Sequence, residues 1–282
     1  MTDIERFELG SNIGAAYGLV GRNLGTLAIL FAAWGIVAVV AGLAGAVGTR
    51  LLISGIPELA AGAADMSDEA VLLIGLVPFF VVFMIGLSAV IIAWHRRIIT
   101  GTGSRNPFSV GPDPIFRYIA GVVVVFGISF APIVLTIAGA LAFASKPGGS
   151  GSAAAFGFAI FALVIACTLA TLRFSLLFPA IAVGDRTMTL SRSWQLTKYS
   201  TWRLFWGSFV CALPFSIAGN IIEKVLGVQG LAETVPGIAL AILGTAIELL
   251  AYANVAAFIS LAYVQLTGID GAIDRPPASH FS

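Results

Sequence analysis

Residues 24–48 read LGTLAILFAAWGIVAVVAGLAGAVG, a stretch without one ionisable side chain. A helix that crosses a bilayer needs about 20 mostly apolar residues, and this stretch exceeds that. Five further segments qualify, at about 71–94, 118–143, 154–183, 204–222 and 235–266. The fourth and sixth are long enough to tilt or to protrude from the bilayer. A β-barrel would alternate apolar and polar residues over segments of about 10 residues; these runs are continuously apolar. The reading is therefore an all-α, polytopic helical bundle with six transmembrane helices.

Composition agrees with the segments. Hydrophobic residues make up 59% of the 282 and charged residues 10%, against roughly a quarter charged in a soluble domain. The 32 glycines fit as well, since glycine is commoner in membrane helices than in soluble ones. A net charge of +1 gives no footprint for nucleic acid. Cys167 and Cys211 fall inside apolar runs and read as small buried hydrophobes rather than a disulfide framework. His95 and His280 lack metal-ligand neighbours at usable spacing, so no metal and no cofactor is expected.

Charge placement orients the spans. Arg6, Arg22, Arg96, Arg97, Arg105, Arg117, Arg186, Arg192, Lys198, Arg203 and Arg275 fall on one side, and Arg50, Lys146 and Lys224 on the other. By the positive-inside rule both termini are expected in the cytoplasm. The chain then divides into an N-terminal interfacial segment (1–23), a six-helix domain (24–268) and a short tail (269–282). The start carries Asp3, Glu5 and Glu8 and no early apolar run, which is unlike a cleavable signal peptide.

The three entries into the membrane look alike. Arg22, Arg117 and Arg203 each stand at the boundary of an odd-numbered span, and the even spans leave through Thr100-Gly101, Gly184-Asp185 and Thr267-Gly268. This suggests three helical hairpins, either a true repeat or the common preference of inner boundaries for arginine and aromatics. Two cytoplasmic interfacial helices are expected. One runs through Leu190, Trp194 and Leu196, capped by Thr189 or Ser191, with Arg192, Lys198, Trp202 and Arg203 as headgroup anchors. The other places Phe7, Ile13, Tyr17 and Val20 on a stripe, with Gly10, Gly14 and Gly18 spaced four apart, either for close helix approach or simply to keep the segment supple.

An ionisable residue within a span is costly and is a functional hypothesis by default. Arg173 and Glu248 are the two. Counted along unbroken helices, Arg173 lies about 16 Å above the inner end of its span and Glu248 about 27 Å. Tyr252 and Asn254 therefore match Arg173 in depth better than Glu248 does. A polar pathway lined by Arg173, Glu248, Asn254 and Asn220 is one reading; a structural use of the same side chains is the other. Pro132 and Pro214, near mid-span, should kink their helices and release backbone carbonyls. Ala41, Ala44, Gly45 and Gly48 offer a small-residue face in the first span.

No catalytic arrangement is visible. Gly101-Thr102-Gly103 lacks a preceding strand and a P-loop lysine, and HExxH, CxxC and GxSxG are missing. His95, Arg96, Arg97 and Asp113 are expected in one cytoplasmic loop, as a boundary anchor or a weak phosphate site. Asn106 to Pro114 reads as an ordered loop and residues 146–152 as a flexible outer turn.

The run Arg173-Phe174-Ser175-Leu176-Leu177-Phe178-Pro179-Ala180, followed by Ser191-Arg192-Ser193-Trp194 and by Trp202-Arg203-Leu204-Phe205, resembles the YciC-like group of six-helix bacterial inner-membrane proteins. It also resembles the membrane domain attached to some glycerophosphodiester phosphodiesterases. The match is specific over about residues 170–206 and architectural elsewhere. It implies an all-helical membrane domain of the bacterial inner membrane, with Arg173 and Pro179 as elements of its fold. It does not carry phosphodiesterase activity, because the soluble catalytic barrel is missing. The function expected first is a non-catalytic protein that organises membrane lipids or a complex, through another membrane protein or self-association. The alternatives are a small-solute transporter or channel using Arg173 and Glu248, and a lipid-acting membrane enzyme.

Overall fold

A computed structural model describes residues 8–55, 68–101, 109–144, 153–229 and 235–269. Outside these lie Phe7 of the N-terminal stripe, Thr102-Gly103, Asn106 to Phe108 of the 106–114 loop, the 146–152 turn and the tail from 270 onward. Every described element is a helix: α1 (Leu9–Arg22), α2 (Leu24–Gly55), α3 (Asp68–Thr100), α4 (Pro112–Ala144), α5 (Ala153–Phe174), α6 (Leu177–Val183), α7 (Leu190–Leu196), α8 (Thr201–Gln229) and α9 (Val235–Thr267). Six stretches are long and apolar enough to cross a membrane: Leu24–Thr49, Phe80–Thr100, Pro112–Gly139, Phe156–Val183, Thr201–Val225 and Ala239–Thr267. The chain is a multi-pass membrane protein.

The spans pack as three hairpins, α2 with α3, α4 with α5 and α8 with α9. Antiparallel register follows from which residues meet. In the first hairpin Asn23 reaches Arg97 and Trp34 covers Gly86; in the third, Gly207 faces Phe258, Cys211 meets Asn254 and Gly219 faces Glu248. Gly207 and Gly86 are where the backbone must come close, because a Cβ at either would overlap the facing ring. Each hairpin ends in a left-handed glycine, Gly101 (φ 69°), Gly184 (φ 79°) and Gly268 (φ 69°). Only glycine takes that conformation without strain. Thus the three sequence exits share one C-terminal cap geometry.

The hairpins are locked together at the basic end and diverge in surroundings toward the other. Among the described residues, the core gathers Leu27, Trp94, Ile98, Leu176, Ala180, Leu204, Cys211 and the stretch Ala253 to Val264. The far halves present Leu43, Val47, Val134, Leu135, Phe158, Ile217 and Ile242 outward. Such apolar surface is at home only against lipid or another membrane protein. Helix α3 is the most buried span.

Three expectations change. The basic end of α3 is helical through Thr100, so His95, Arg96 and Arg97 stand on a helix, not in a loop. Their apolar neighbours Trp94, Ile98 and Ile99 are buried, which draws the helix past the predicted boundary at 94. Similarly α4 begins at Pro112, with Asp113 in its first turn. Proline loses nothing there, since first-turn amides have no intrahelical partner, and an acid suits the positive end of the dipole. Finally, the fourth span is not one helix. It breaks between Phe174 and Leu177. Pro179 has no amide to give the Ser175 carbonyl and its ring crowds that carbonyl. The Phe178 amide takes the Ser175 carbonyl instead, at 3.3 Å.

In α1 the described stripe residues face the bundle: Val20 is buried, Ile13 packs on the core and Tyr17 reaches α8. Asn12, Ala16 and Val20 are its buried face, and α1 packs on α8 and α9. Gly10 and Gly14 have no atom within 4 Å of where a Cβ would stand, and Gly18 meets only Arg22 at 4.0 Å. Among the described residues no helix comes close to Gly10, Gly14 or Gly18.

Candidate functional site

Apart from hydroxyls that bond back to their own helix, such as Ser88, Thr136 and Thr168, two groups of polar side chains stand out in the membrane region. One is a set of pins at the basic end. The other is Glu248 with Asn220, which face outward on the far halves of α8 and α9.

The pins begin with carbonyls that proline sets free. Pro214 cannot donate to the Val210 carbonyl one turn earlier. The Tyr17 hydroxyl donates to it instead, at 2.7 Å. The neighbouring Cys211 carbonyl accepts from Asn254 Nδ2 at 2.9 Å. Burial, and then the neighbouring Cys211, raise the Tyr17 phenol above its ordinary value, so it stays protonated and able to donate. The turn of α8 before Pro214 is thereby clasped by α1 and by α9.

The break in α5 and α6 is held in the same way. With the helix interrupted, the Arg173 carbonyl lacks a partner one turn on; the Ser193 hydroxyl of α7 donates to it at 2.7 Å. Ser193 is fully buried. Thr189 caps α7 by accepting from the Arg192 amide at 3.2 Å; of the two predicted caps it is the one used. The Arg173 side chain folds back over this corner. Its Nε donates to Thr201 Oγ1 at 3.0 Å, and its guanidinium carbon lies 4.4 Å from the centre of the Trp194 ring. Trp194 in turn packs on Phe174 at 5.2 Å. The quoted sequence run thus forms one interlocked corner of α5, α6, α7 and the start of α8.

Arg173 is therefore at the basic boundary, level with the first residue of α8, and not at the depth expected of an unbroken span. Glu248 lies beside Gly219, which is about 27 Å further along α8 than Thr201. Arg173 and Glu248 do not meet. Asn254, expected near Arg173, is fully buried and engaged with Cys211. Asn220 donates to its own helix, to Ser216 O at 2.7 Å.

The predicted boundary anchors divide in two. Arg96 Nε donates to the Ala182 carbonyl of α6, and Arg97 Nε to Asn23 Oδ1 at 2.9 Å; both join helices. Arg22, Arg192, Lys198, Trp202 and Arg203 are exposed, and Arg117 is half-buried. Sequence reasoning missed several pins. Asn12 and Gln265 exchange amide hydrogen bonds at 2.8 and 2.9 Å. Trp94 Nε1 donates to Ala253 O at 2.8 Å. His95 Nδ1 and Ser260 Oγ lie 2.6 Å apart, and Tyr263 donates to Asp185 at 2.9 Å. Only the proline-released carbonyls left a signal in the sequence.

Asp185 gives the corner a pH dependence. Burial would raise its carboxyl, but hydrogen bonds from Thr187 and Tyr263, with the Arg192 charge, hold it below its ordinary value of 3.8. A depressed carboxyl contributes stability above its unfolded value and loses it as pH falls through the folded one. Thermal unfolding of Asp185→Asn should therefore differ from wild type at pH 7 and converge with it well below pH 4. A constant difference down to strong acid would disprove the tether.

Among the described residues no group of three or more His, Cys, Asp and Glu side chains is placed to hold a metal ion. Cys167 and Cys211 are buried free thiols. No family model, curated protein or solved structure matches this chain.

Proposed function

We propose that the chain is a non-catalytic, multi-pass protein of a bacterial inner membrane, with both termini in the cytoplasm, that organises lipid or a membrane protein complex. The observation that supports this best is how the polar side chains are used. Arg173, Asn254, Tyr17, Ser193, Arg96 and Arg97 each satisfy a carbonyl or side chain of another helix. Besides Glu248 and Asn220, what remains outward is largely apolar surface on the far halves and a basic, aromatic rim at the near end. The basic side is assigned to the cytoplasm by the positive-inside rule. The resemblance to the YciC-like group supports a bacterial inner membrane. The partners are membrane lipids, another membrane protein or a second copy, and not nucleic acid.

A second reading, a small-solute transporter or channel, is favoured by one observation: Glu248 and Asn220 stay outward on the far halves of α8 and α9. Without Arg173 beside them, they lack the second charge that this reading paired with Glu248. Extraction of the full chain with its native lipid in a detergent-free disc, followed by mass spectrometry, separates the two. The organiser reading expects a stoichiometric protein partner or one enriched lipid class. A lone chain in bulk lipid, with solute flux that Glu248→Gln abolishes, would establish the transporter instead.

A further inference from the structure

We propose that the corner of α7 and the start of α8 binds the headgroup of an anionic phospholipid in the adjacent leaflet. The inference rests on the organiser reading and names the lipid class it would act on.

Charge gives the first reason. From Gly184 to Arg203 the chain carries Arg186, Arg192, Lys198 and Arg203 against one acid, Asp185. Asp185 is already occupied by Thr187 and Tyr263. All four basic side chains are exposed. Arg192 spends one nitrogen on Thr187 Oγ1, and the Lys198 ammonium rests 5.2 Å from the Tyr199 ring.

Depth gives the second. Charges recur on α8 at Glu223 and Lys224, about 30 Å beyond Arg203 at helical rise. This matches the hydrocarbon thickness of a bilayer, so Lys198 and Arg203 stand at headgroup level. The third reason is the lining. Trp194, Tyr199, Trp202 and Trp206 expose their rings around these cations, and Phe209 and Val210 continue the apolar surface down α8. Aromatic rings of this kind lie where one end is apolar and the other wet. A soluble phosphate would use the cations but not the apolar track below them. A phospholipid uses both.

The full chain reconstituted in phosphatidylcholine vesicles provides the test, read as tryptophan quenching by brominated phosphatidylglycerol against brominated phosphatidylcholine. Trp194, Trp202 and Trp206 report on the corner; fully buried Trp94 stays as background, and half-buried Trp34 on α2 is replaced by Phe in every protein compared. Wild type should prefer the anionic lipid by about fivefold or more, the factor expected of each basic residue near an anionic surface. Arg192→Gln with Lys198→Gln should bring the ratio close to one, Lys198→Arg should keep it, and Arg117→Gln at the α4 entry should leave it unchanged. Equal quenching by both lipids in wild type overturns the proposal. So does an equal loss with Arg117→Gln, which would mean a diffuse basic field, or displacement by soluble glycerophosphate, which would mean a phosphate site. If the preference is missing but native discs still carry a stoichiometric partner, the organiser reading stands and this inference alone fails.

Discussion

Gly207→Val is expected to destabilise the protein by about 3 kcal/mol, the upper end of what an overpacked core costs. The Phe258 ring lies across Gly207, and any Cβ there would overlap it. The ring cannot swing aside, because Phe258 is fully buried among Ala253, Ala257, Ile259 and Leu261 of the same core. Valine adds two branches with one strongly preferred rotamer in a helix, so α8 and α9 must part. They part where Asn254 reaches Cys211, so that hydrogen bond weakens too. The second-site change Phe258→Ala should recover much of the loss. Unfolding measured in lipid discs checks this. A Gly207→Val protein as stable as wild type would mean that the third hairpin is packed differently.

Ser193→Ala should lower stability by about 1–2 kcal/mol, more than an average hydrogen bond between membrane helices. The reason is what the change leaves behind. The Arg173 carbonyl has lost its helical partner at the break, and an unsatisfied buried acceptor costs its full desolvation. Thr197 is not a ready substitute. Its hydroxyl is 3.2 Å from the Arg173 carbonyl but 2.8 Å from the Ser193 carbonyl, and it has one proton to give. Ser193→Thr should restore part of the loss, provided the added methyl fits. A fully stable Ser193→Ala protein would show that the corner is held by packing alone.

The six spans were legible because a span announces itself by what it lacks. Residues 24–48 contain no charge, and nothing in the tertiary structure can change that. The hairpin exits were legible because Gly101, Gly184 and Gly268 each stand a few residues at most beyond the inner end of a span. The depth of Arg173 was misread because it was counted along an unbroken helix. Applying to Pro179 the rule already applied to Pro132 and Pro214 would have marked the Ser175 carbonyl as released, though α4 and α8 run unbroken through their prolines. The partner of Asn254 was out of reach, since it depends on the register of α8 on α9. That register is set by Gly207 and Phe258, two residues that no helical periodicity links. On α1 the stripe of Ile13, Tyr17 and Val20 was legible, but the burial of Asn12 beside it was not, because its partner Gln265 lies near the opposite end of the sequence.

Polar side chains at the basic end pin helices, and Arg173 and Glu248 line no shared path. A pair of double-mutant cycles tests this most directly, with unfolding free energy as the readout: Arg173→Leu with Trp194→Leu, and Arg173→Leu with Glu248→Gln. The first pair should couple by about 0.5–1 kcal/mol, as a guanidinium on an aromatic face does. The second should be additive within about 0.5 kcal/mol, as distant residues are. Strong coupling between Arg173 and Glu248, with none to Trp194, would contradict the account and put both charges in one pathway.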